Sequence, residues 1–377
     1  MIVIVGPAAP FRGGIAHFSN RLSQALAERG DQVRLLTFTR QYPEVLFPGK
    51  TQFEEADAWE LPAQPVRMID SIGPGTWREA GEWIAAQRPD VVVFVHWLPF
   101  FVPAYLGVMK AMENAGVTPH ISLLMHNVLP HKRFPFTRPL MRSLGRRVDS
   151  FVTLSDKVTG DLNDLLPNAP ALTSFHPIYD HYQPPVPASD ARREIGLTER
   201  PTLLFFGLVR PYKGLDVLID AMPGILEQMD AQLIVAGEFY ENEEEYRAHV
   251  DRLNLGDHVR FDAEYIPNER VHWYFSAADL VVQPYRRAVQ SGVTQTAFYF
   301  GKPAVVTNLG VLCDMVPDGE AGYTVPPENP ERLGEAVIHA LRAGPEAFTP
   351  GVARQRERYS WTTLARQITE FWAQRQS

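Results

Sequence analysis

Two cationic side chains stand in a short loop between a predicted strand and a predicted helix. The segment FFGLVRPYKGLDVLIDA, at 205–221, ends a strand at Gly207, and Arg210 and Lys213 follow before an amphipathic helix. Cations beside a helix N-terminus attract an anion, because their charge and the helix dipole act in the same direction. The loop therefore predicts a site for a phosphate or a similar anion, although the pattern also fits an ordinary solvated basic turn.

Histidines mark the end of another predicted strand, in the segment MHNVLPHK at 125–132. His126 lies at the end of the strand, and His131 lies in the loop that follows. A zinc site would need at least one more ligand, and the neighbouring sequence offers none. We therefore expect a polar contact between these histidines and a substrate. His131 fits a solvated loop residue equally well.

Two further loops lead into helices. The segment GPAAPFRGGIAHF, at 6–18, is rich in Gly and Pro, and Gly13 and Gly14 would let a ligand approach the backbone at the start of a helix. Its spacing differs from that of the dinucleotide-binding fingerprint. The segment QSGVTQ, at 290–295, precedes or begins another helix, whose first N–H groups could face a second phosphate.

The strands that hold these loops are continuous apolar runs, and they alternate with longer amphipathic stretches. Continuous Val/Ile/Leu runs indicate strands that are covered on both faces, so the alternation predicts parallel, doubly wound sheets. A proline-rich linker is predicted at 183–190 and a last helix at 361–375. The predicted strands lie at 1–6, 32–38, 91–96, 121–126, 150–155, 201–207, 232–237, 258–265, 279–285 and 303–308.

Composition excludes several classes of protein. Of the 377 residues, 45% are hydrophobic and 21% are charged, which is ordinary for a soluble globular protein of two or three domains. The net charge of -8 argues against a general nucleic-acid binder. A single cysteine, Cys313, excludes an intramolecular disulfide framework and a multi-cysteine zinc site.

Two segments bear on location. The apolar stretch 91–109 contains His96 and two prolines, so we expect a buried strand, a loop and the start of a helix rather than a membrane span. The first residues, MIVIVGPAAP, have no basic region before their apolar run and indicate a first strand rather than a secretory signal. We therefore expect a cytoplasmic protein.

Several segments occur in the order and spacing of a known group: KGLDVLIDA, a strand that ends in AGE, AADLVVQPY, GKPAVVTNLG and DGEAGYTVP. They resemble the C-terminal domain of the family 4 glycosyltransferases, and GGIAHF with the strand-end His126 resembles the N-terminal part of the same family. The resemblance implies an α/β, GT-B fold of two Rossmann-like domains that face each other across a cleft. It also implies a retaining hexosyltransferase that needs no metal and no cofactor beyond its nucleotide-sugar substrate.

The resemblance predicts the organisation of the chain. Residues 1–183 would form the acceptor-binding domain, residues 184–357 the nucleotide-sugar-binding domain, and residues 358–377 a helix that crosses back to the first domain. The sugar would move from a nucleotide-diphosphate sugar to a glycan or a lipid-linked acceptor.

The resemblance also assigns roles to the candidate residues. Arg210 and Lys213 match the family's diphosphate-binding pair, and His126 matches its active-site histidine. The other candidate donor contacts are Gly13, Gly14, Gln290, Ser291, Gly292 and Gln295, and the candidate acceptor contacts are His96, Trp97 and His131.

The sequence departs from the family at three positions. Leu208 stands where the family often has an arginine after the strand-end glycine, so Arg210 must serve. The family's paired glutamates, which usually contact donor-sugar and ribose hydroxyls, align with Ala288 and Thr296. The missing carboxylates keep one alternative open, a non-catalytic nucleotide-sugar-binding subunit of a glycan-assembly complex. A second alternative is a nucleotide-sugar epimerase, because such enzymes share the fold.

A basic stretch in the first half could contact a membrane. The segment HKRFPFTRPLMRSLGRRV, at 131–148, contains six Lys/Arg residues and no acidic residue. A helix from Thr137 onward would place Leu140, Met141 and Leu144 on one stripe. Such a helix fits a peripheral contact with the inner membrane face or with an anionic lipid-linked acceptor. It also fits an ordinary helix whose apolar stripe faces the core.

Overall fold

The chain folds into two compact units. Unit 1 comprises Met1–His176 and Trp361–Ser377, and unit 2 comprises Pro177–Ser360. The structure, a computed structural model, describes all residues except Arg12, 43–52, 54–60, Pro62, 129–136, His181, Glu241, 288–291 and Ser377.

The first boundary lies at His176 rather than at the expected residue 183, because the residues that follow His176 are held by unit 2. The backbone N–H of Ile178 donates to the carbonyl oxygen of Tyr359 at 2.9 Å. The ring of Tyr182 packs against that of Tyr299, with 6.3 Å between ring centroids. The second boundary follows Ser360 rather than residue 357.

The strands are short and mostly buried on both faces, as their continuous Val/Ile/Leu runs predict. All six residues of the strand VVVFVH are buried, for example. In chain order the strands are β1 (Ile2–Val5), β2 (Val33–Arg40), β3 (Val66–Asp70), β4 (Val91–His96), β5 (His120–Met125), β6 (Ser150–Thr153), β7 (Ala171–Thr173), β8 (Thr202–Phe206), β9 (Gln232–Ala236), β10 (Val259–Asp262), β11 (Leu280–Gln283), β12 (Ala304–Thr307) and β13 (Gly322–Val325).

Each unit has one parallel sheet. The seven-stranded sheet of unit 1 has the order β3-β2-β1-β4-β5-β6-β7, and the six-stranded sheet of unit 2 has the order β10-β9-β8-β11-β12-β13. The order reverses between β1 and β4 in unit 1 and between β8 and β11 in unit 2. In doubly wound sheets, ligands bind outside the carboxyl ends of the strands at such a reversal. The fold therefore marks one candidate site in each unit.

Helices connect the strands, and several begin at side-chain caps that the sequence supplies. Asn329 accepts a hydrogen bond from the backbone N–H of Arg332 in front of a helix that starts with Pro330. The helices are α1 (Gly14–Glu28), α2 (Pro74–Gln87), α3 (Val102–Asn114), α4 (Thr137–Gly145), α5 (Asp156–Leu165), α6 (Ala188–Ile195), α7 (Leu215–Leu226), α8 (Glu243–Arg252), α9 (Asn268–Ala277), α10 (Gly292–Tyr299), α11 (Val311–Met315), α12 (Pro330–Ala343), α13 (Pro345–Arg358) and α14 (Trp361–Gln376).

The last helix, α14, completes the core of unit 1. Its buried residues Trp361, Leu364, Ile368 and Trp372 pack in one cluster with apolar residues of β1 and α1. The ring of Trp361 meets that of Phe18 edge-on at 5.0 Å. The C-terminal end of the chain therefore belongs to the same unit as its beginning.

The structure differs from the predicted elements at the shortest strands. The strands β3, β7 and β13 were not predicted, and the predicted linker at 183–190 is shorter because α6 starts at Ala188. The helices α12 and α13, which precede α14, were not predicted. The apolar segment 91–109 forms β4, a 3-10 turn and the first half of α3, as predicted. Among the described residues, no helix combines the length and hydropathy needed to cross a membrane.

Candidate active site

The ammonium group of Lys213 lies beyond the carboxyl end of β8 in unit 2, where the strand order reverses. A 3-10 turn, Pro211–Lys213, places it between the end of β8 and the start of α7. The residue is only 8% exposed. A Cβ atom built on Gly207 would lie 3.2 Å from Lys213 Nζ, so the ammonium sits against the backbone of the strand end.

Burial and, to a smaller extent, the positive charge of Arg210 together lower the pKa of Lys213 from 10.5 to about 8. No carboxylate of the described residues opposes this shift. A buried cation without a neutralising partner is costly unless a bound anion compensates it. The site therefore favours an anionic ligand.

Aromatic rings flank both cations of the loop. The guanidinium carbon of Arg210 lies 4.3 Å from the ring centroid of Tyr240. The Nζ atom of Lys213 lies 5.6 Å from the ring centroid of Tyr285. Both contacts are within the range of cation–π attraction, which holds a cation without neutralising its charge.

Glycines let the backbone of the neighbouring loops pack closely around this pair. Gly214 has φ = 69°, and a Cβ atom there would lie 2.1 Å from the carbonyl oxygen of Pro284. Gly237 has φ = 146°, and its Cβ atom would lie 2.3 Å from the carbonyl oxygen of Gly207. Any other residue at these positions would push the strand-end loops apart.

A third cation, Arg286, ties these loops together. Its guanidinium donates to both carboxylate oxygens of Asp216, at 2.9 and 2.6 Å, and to the carbonyl oxygen of Pro211 at 2.7 Å. It also donates to Glu328 at 3.1 Å. Burial alone would raise the pKa of Asp216, but the hydrogen bonds and charge of Arg286 outweigh it and lower that pKa. Arg286 and Asp216 thus neutralise each other, and the carboxylate does not compete for Lys213.

The helix α10 begins beside the same sheet edge. The hydroxyl of Thr294 donates to the side-chain oxygen of Gln283, the last residue of β11, at 2.6 Å. This bond fixes the first turn of α10 at the end of β11, so the first N–H groups of the helix, which have no partner within the helix, lie at the carboxyl ends of the strands. Gly292 is the first residue of the helix, and a Cβ atom there would lie 3.1 Å from the ring of Tyr179.

The remaining donor candidates have different environments. Gln295 is 7% exposed and lies in α10. Thr296, which replaces one of the family's glutamates, is buried and donates to the carbonyl oxygen of Gly292 at 2.8 Å. Gln290 and Ser291, and Ala288 at the other glutamate position, lie outside the described residues.

In unit 1, the predicted glycine-rich loop leads into α1. Gly13 precedes the helix with φ = 110°, and Gly14 is its first residue. Both glycines are exposed, and a Cβ atom on either would meet no atom of the described residues within 4 Å. The loop before them is anchored to the unit, because the N–H of Ala8 donates to Thr37 at 3.1 Å and that of Ala9 to Asn20 at 3.0 Å. The open backbone at Gly13 and Gly14 could therefore approach a ligand.

His126 follows the last residue of β5. Its backbone N–H donates to the carbonyl oxygen of His96 at 2.9 Å, and its ring meets that of Phe18 edge-on at 4.7 Å. Nε2 of His126 is enclosed and has no hydrogen-bond partner among the described residues. Burial, with the neighbouring His176 and His96, lowers the pKa of His126 to about 3. The imidazole is therefore neutral at pH 7 and can donate or accept a hydrogen bond without carrying a charge.

The acceptor candidates His96 and Trp97 are both buried. His96, the last residue of β4, is fully buried, and burial lowers its pKa to about 3. Both ring nitrogens of His96 are enclosed and, like Nε2 of His126, have no hydrogen-bond partner among the described residues. Trp97 is 8% exposed, and its indole N–H donates to the hydroxyl of Tyr42 at 3.0 Å. His131 lies outside the described residues.

Comparison with known proteins identifies the family. The sequence pattern of the family described as "Glycosyltransferase Family 4" matches residues 12–180, and that of "Glycosyl transferases group 1" matches residues 200–343. Together they cover most of both units. The chain is a family 4 glycosyltransferase.

Two curated relatives support this assignment. The chain is 25% identical to the GDP-mannose-dependent alpha-(1-6)-phosphatidylinositol monomannoside mannosyltransferase of Mycobacterium tuberculosis. The alignment covers 98% of this chain and 97% of that protein. Over an alignment of 172 residues, which covers 44% of this chain and 45% of that protein, the chain is 30% identical to the phosphatidyl-myo-inositol mannosyltransferase of Mycobacterium leprae.

A solved structure supports the fold. Anabaena HepE in complex with UDP superposes with a TM-score of 0.66 over 99% of this chain and 100% of that one, at 17% identity. The fold of this glycosyltransferase is therefore that of the GT-B enzymes, with one parallel sheet in each unit.

Sequence reasoning missed three side chains at the sheet edge of this glycosyltransferase. Tyr240, Tyr285 and Arg286 each follow a strand end by a few residues, which is the signal that could have found them. Arg286 directly follows the segment AADLVVQPY, but its pairing with Asp216 depends on contacts between separate loops. Among the described residues, no group of three or more His, Cys, Asp and Glu side chains could hold a metal ion.

Proposed function

We propose that this glycosyltransferase moves a hexose from a nucleoside-diphosphate sugar to a glycan or a lipid-linked acceptor, with retention of configuration at the transferred carbon. The observation that carries the proposal is the buried ammonium of Lys213, which has no carboxylate partner among the described residues and lies where parallel sheets bind ligands. Both curated relatives are named as mannosyltransferases of phosphatidylinositol lipids. These names support a lipid-linked acceptor.

The chemistry of the leaving group explains why two cations are needed. When the bond between the sugar and the diphosphate breaks, negative charge develops on the departing diphosphate. Lys213 and Arg210 are in place before the reaction, and the first N–H groups of α10 add partial positive charge. These groups do what a divalent metal does in other nucleotide-sugar enzymes. We therefore propose that the transfer does not require a metal.

The neutral imidazole of His126 is proposed to hydrogen-bond the reacting sugar. Its enclosed Nε2 lacks a partner among the described residues, and a buried polar atom of this kind gains from a ligand hydroxyl. Because the pKa of His126 is lowered to about 3, we assign it a role in orientation rather than in proton transfer.

A thermal-shift panel with UDP-, GDP- and ADP-sugars tests the donor class. A ligand that binds only the folded protein raises its melting temperature in a concentration-dependent way. Replacing Arg210 or Lys213 with Ala should weaken binding of the selected nucleoside diphosphate by about 1.5–3 kcal/mol, the range for hydrogen bonds to charged groups. Arg247→Ala is the matched control, because Arg247 lies in the same unit, also lies over an aromatic ring and is paired with Glu243.

The transfer itself is tested with the selected donor and membrane or glycan extracts as acceptors. Release of nucleoside diphosphate that depends on the acceptor supports the proposal. Epimerisation of the donor without an acceptor would instead identify an epimerase. Binding of the donor without turnover on any acceptor fraction would favour the non-catalytic subunit.

We also propose a peripheral contact with an anionic membrane surface through the exposed arginines Arg138, Arg142 and Arg146. Within α4, the proposed contact rests on charge. Met141 and Leu144 of α4 are buried in the core of unit 1, so the apolar stripe of this helix is not available for insertion into lipid. The residues 131–136 lie outside the described residues.

Liposome co-sedimentation tests the membrane contact. Each basic residue near an anionic surface contributes about 1 kcal/mol, and salt screens the attraction. We expect binding to phosphatidylglycerol vesicles at low salt that is weakened by salt and by changing all three arginines to Gln. Wild-type protein that stays in the supernatant at low salt would contradict the proposal and favour a soluble acceptor.

A further inference from the structure

The guanidinium of Arg210 is held by an aromatic ring instead of a carboxylate. Its Cζ atom lies 4.3 Å from the ring centroid of Tyr240, and no ion pair of Arg210 occurs in the part of the chain that the structure describes. We propose that Tyr240 is a positioning residue, which fixes Arg210 in the orientation that receives the donor diphosphate. This inference rests on the proposed donor site in unit 2.

Backbone pairing sets the two side chains next to each other. The loops after β8 and β9 continue the parallel pairing beyond the strands through one bridge between Val209 and Phe239. The N–H of Val209 donates to the carbonyl oxygen of Glu238 at 2.9 Å, and the N–H of Tyr240 donates to the carbonyl oxygen of Val209 at 3.1 Å. Arg210 and Tyr240 directly follow the bridged pair. The hydrogen-bonded backbone of the two loops therefore places the side chains of Arg210 and Tyr240 next to each other.

A ring and a carboxylate hold an arginine with different consequences. A carboxylate takes up two N–H donors of the guanidinium and cancels its charge, as Asp216 does for Arg286 at the same sheet edge. The face of an aromatic ring attracts the cation but leaves its in-plane N–H groups unoccupied. The charge and the N–H donors of Arg210 are thus available to an incoming anion. Those of Arg286 are already engaged by Asp216.

The same arrangement recurs at the second cation of the loop. Lys213 Nζ lies 5.6 Å from the ring centroid of Tyr285, which is 3% exposed. Tyr285 belongs to the core of unit 2, so its replacement would disturb the fold. Tyr240, by contrast, is 63% exposed and contributes little to the core. The effect of Tyr240 on binding can therefore be measured in a folded protein.

The experiment measures binding of UDP, GDP, ADP and inorganic pyrophosphate to Tyr240→Leu and Tyr240→Phe by titration calorimetry. Leucine keeps apolar bulk but removes the ring, and we expect binding of the selected nucleoside diphosphate and of pyrophosphate to weaken about two- to fivefold, as for an exposed cation–π contact. Phenylalanine keeps the ring and should restore affinity to near the wild-type value. Tyr323→Leu is the control, because Tyr323 is a tyrosine of the same unit that contacts His339 and Phe348.

A double-mutant cycle with Arg210→Ala separates a positioning role from direct contact. If Tyr240 acts through Arg210, then Tyr240→Leu has no further effect once Arg210 has been removed. Additive losses would overturn the inference, as would an equal loss in binding of the parent nucleoside, which would mean that the ring contacts the base.

The outcomes also distinguish this inference from the proposed donor site. If Arg210→Ala weakens diphosphate binding but Tyr240→Leu does not, only the positioning role is wrong. If Arg210→Ala leaves diphosphate affinity unchanged but Lys213→Ala lowers it, the donor site stands and the positioning role is wrong. If neither variant changes the affinity, both are wrong. Circular dichroism spectra that match the wild-type spectrum show that each variant is folded.

Discussion

Replacing Lys213 with Met should make the protein more stable and weaken its binding of the donor. Burial and the charge of Arg210 lower the pKa of Lys213 from 10.5 to about 8 in the folded protein. At pH 7 this shift corresponds to about 3 kcal/mol of destabilisation by the charged ammonium, at about 1.4 kcal/mol per pKa unit. Methionine keeps the aliphatic chain but loses a cation–π contact worth about 0.5–1 kcal/mol. The net expected gain in the free energy of unfolding is about 2 kcal/mol.

The assay is thermal unfolding without nucleotide, followed across pH. For a unit of this size, about 2 kcal/mol corresponds to a rise in melting temperature of about 4–8 °C. Because the pKa is lower in the folded protein, the unfolded chain binds more protons between about pH 8 and 10.5, and wild-type stability rises with pH in that window. The advantage of Lys213→Met should therefore be complete below about pH 8 and vanish towards pH 10.5.

Ligand binding should show the opposite preference. A bound diphosphate stabilises the charged ammonium, so wild-type affinity should fall as the pH rises above about 8, and binding at pH 8.5 should take up protons from the buffer. Titration calorimetry in two buffers of different ionisation enthalpy measures this uptake, which Lys213→Met should abolish together with most of the affinity.

A second lysine, Lys302, which is half-buried, provides the control. Lys302 also has its pKa lowered by burial, but its Nζ donates to the carbonyl oxygen of Ser276 at 3.1 Å. Lys302→Met should leave diphosphate affinity unchanged. If Lys213→Met is less stable than wild type at pH 7, or binds the diphosphate with unchanged affinity, then the ammonium is not the unpaired cation of a donor site.

Three further outcomes follow from the site. His126→Ala should lower turnover roughly 10- to 100-fold, which is the loss expected for one strong hydrogen bond. The melting temperature should change little, and a near-normal kcat would show that His126 is structural. Activity should survive EDTA, and its loss with recovery on adding magnesium or manganese would contradict the metal-independent reaction. Gly214→Ala should lower the free energy of unfolding in urea by more than about 2 kcal/mol, because its Cβ atom would lie 2.1 Å from the carbonyl oxygen of Pro284 and the residue has φ = 69°. The control Gly256→Ala, whose Cβ atom would meet open space, should be nearly neutral.

The sequence alone predicted the alternation of strands and helices and the loops that carry the cations. Continuous apolar runs such as VVVFVH are local signals, because a strand buried on both faces needs apolar residues at every position. The shortest strands were missed. β7 has three residues, none of them fully buried, and β13 has four, so their pairing is set by the neighbouring strand rather than by their own pattern.

The basic stretch shows where local pattern is ambiguous. A stripe of Leu140, Met141 and Leu144 beside arginines fits both a membrane-facing and a core-facing helix. Only the packing of α4 in unit 1 decided between them, by burying Met141 and Leu144. The periodicity shows that one face of the helix is apolar, but it does not show whether the protein core or a membrane covers that face.

The candidate site divides in the same way. The types and spacing of Arg210 and Lys213, and the glycines around them, are properties of the sequence, and they predicted an anion site after β8. The tertiary structure decided that Lys213 is buried beside Gly207 and that Arg286 neutralises Asp216. These contacts join loops that lie dozens of residues apart in the chain. The charge state and availability of each cation depend on burial and on partners, and both exist only once the strand ends of the sheet have been brought together.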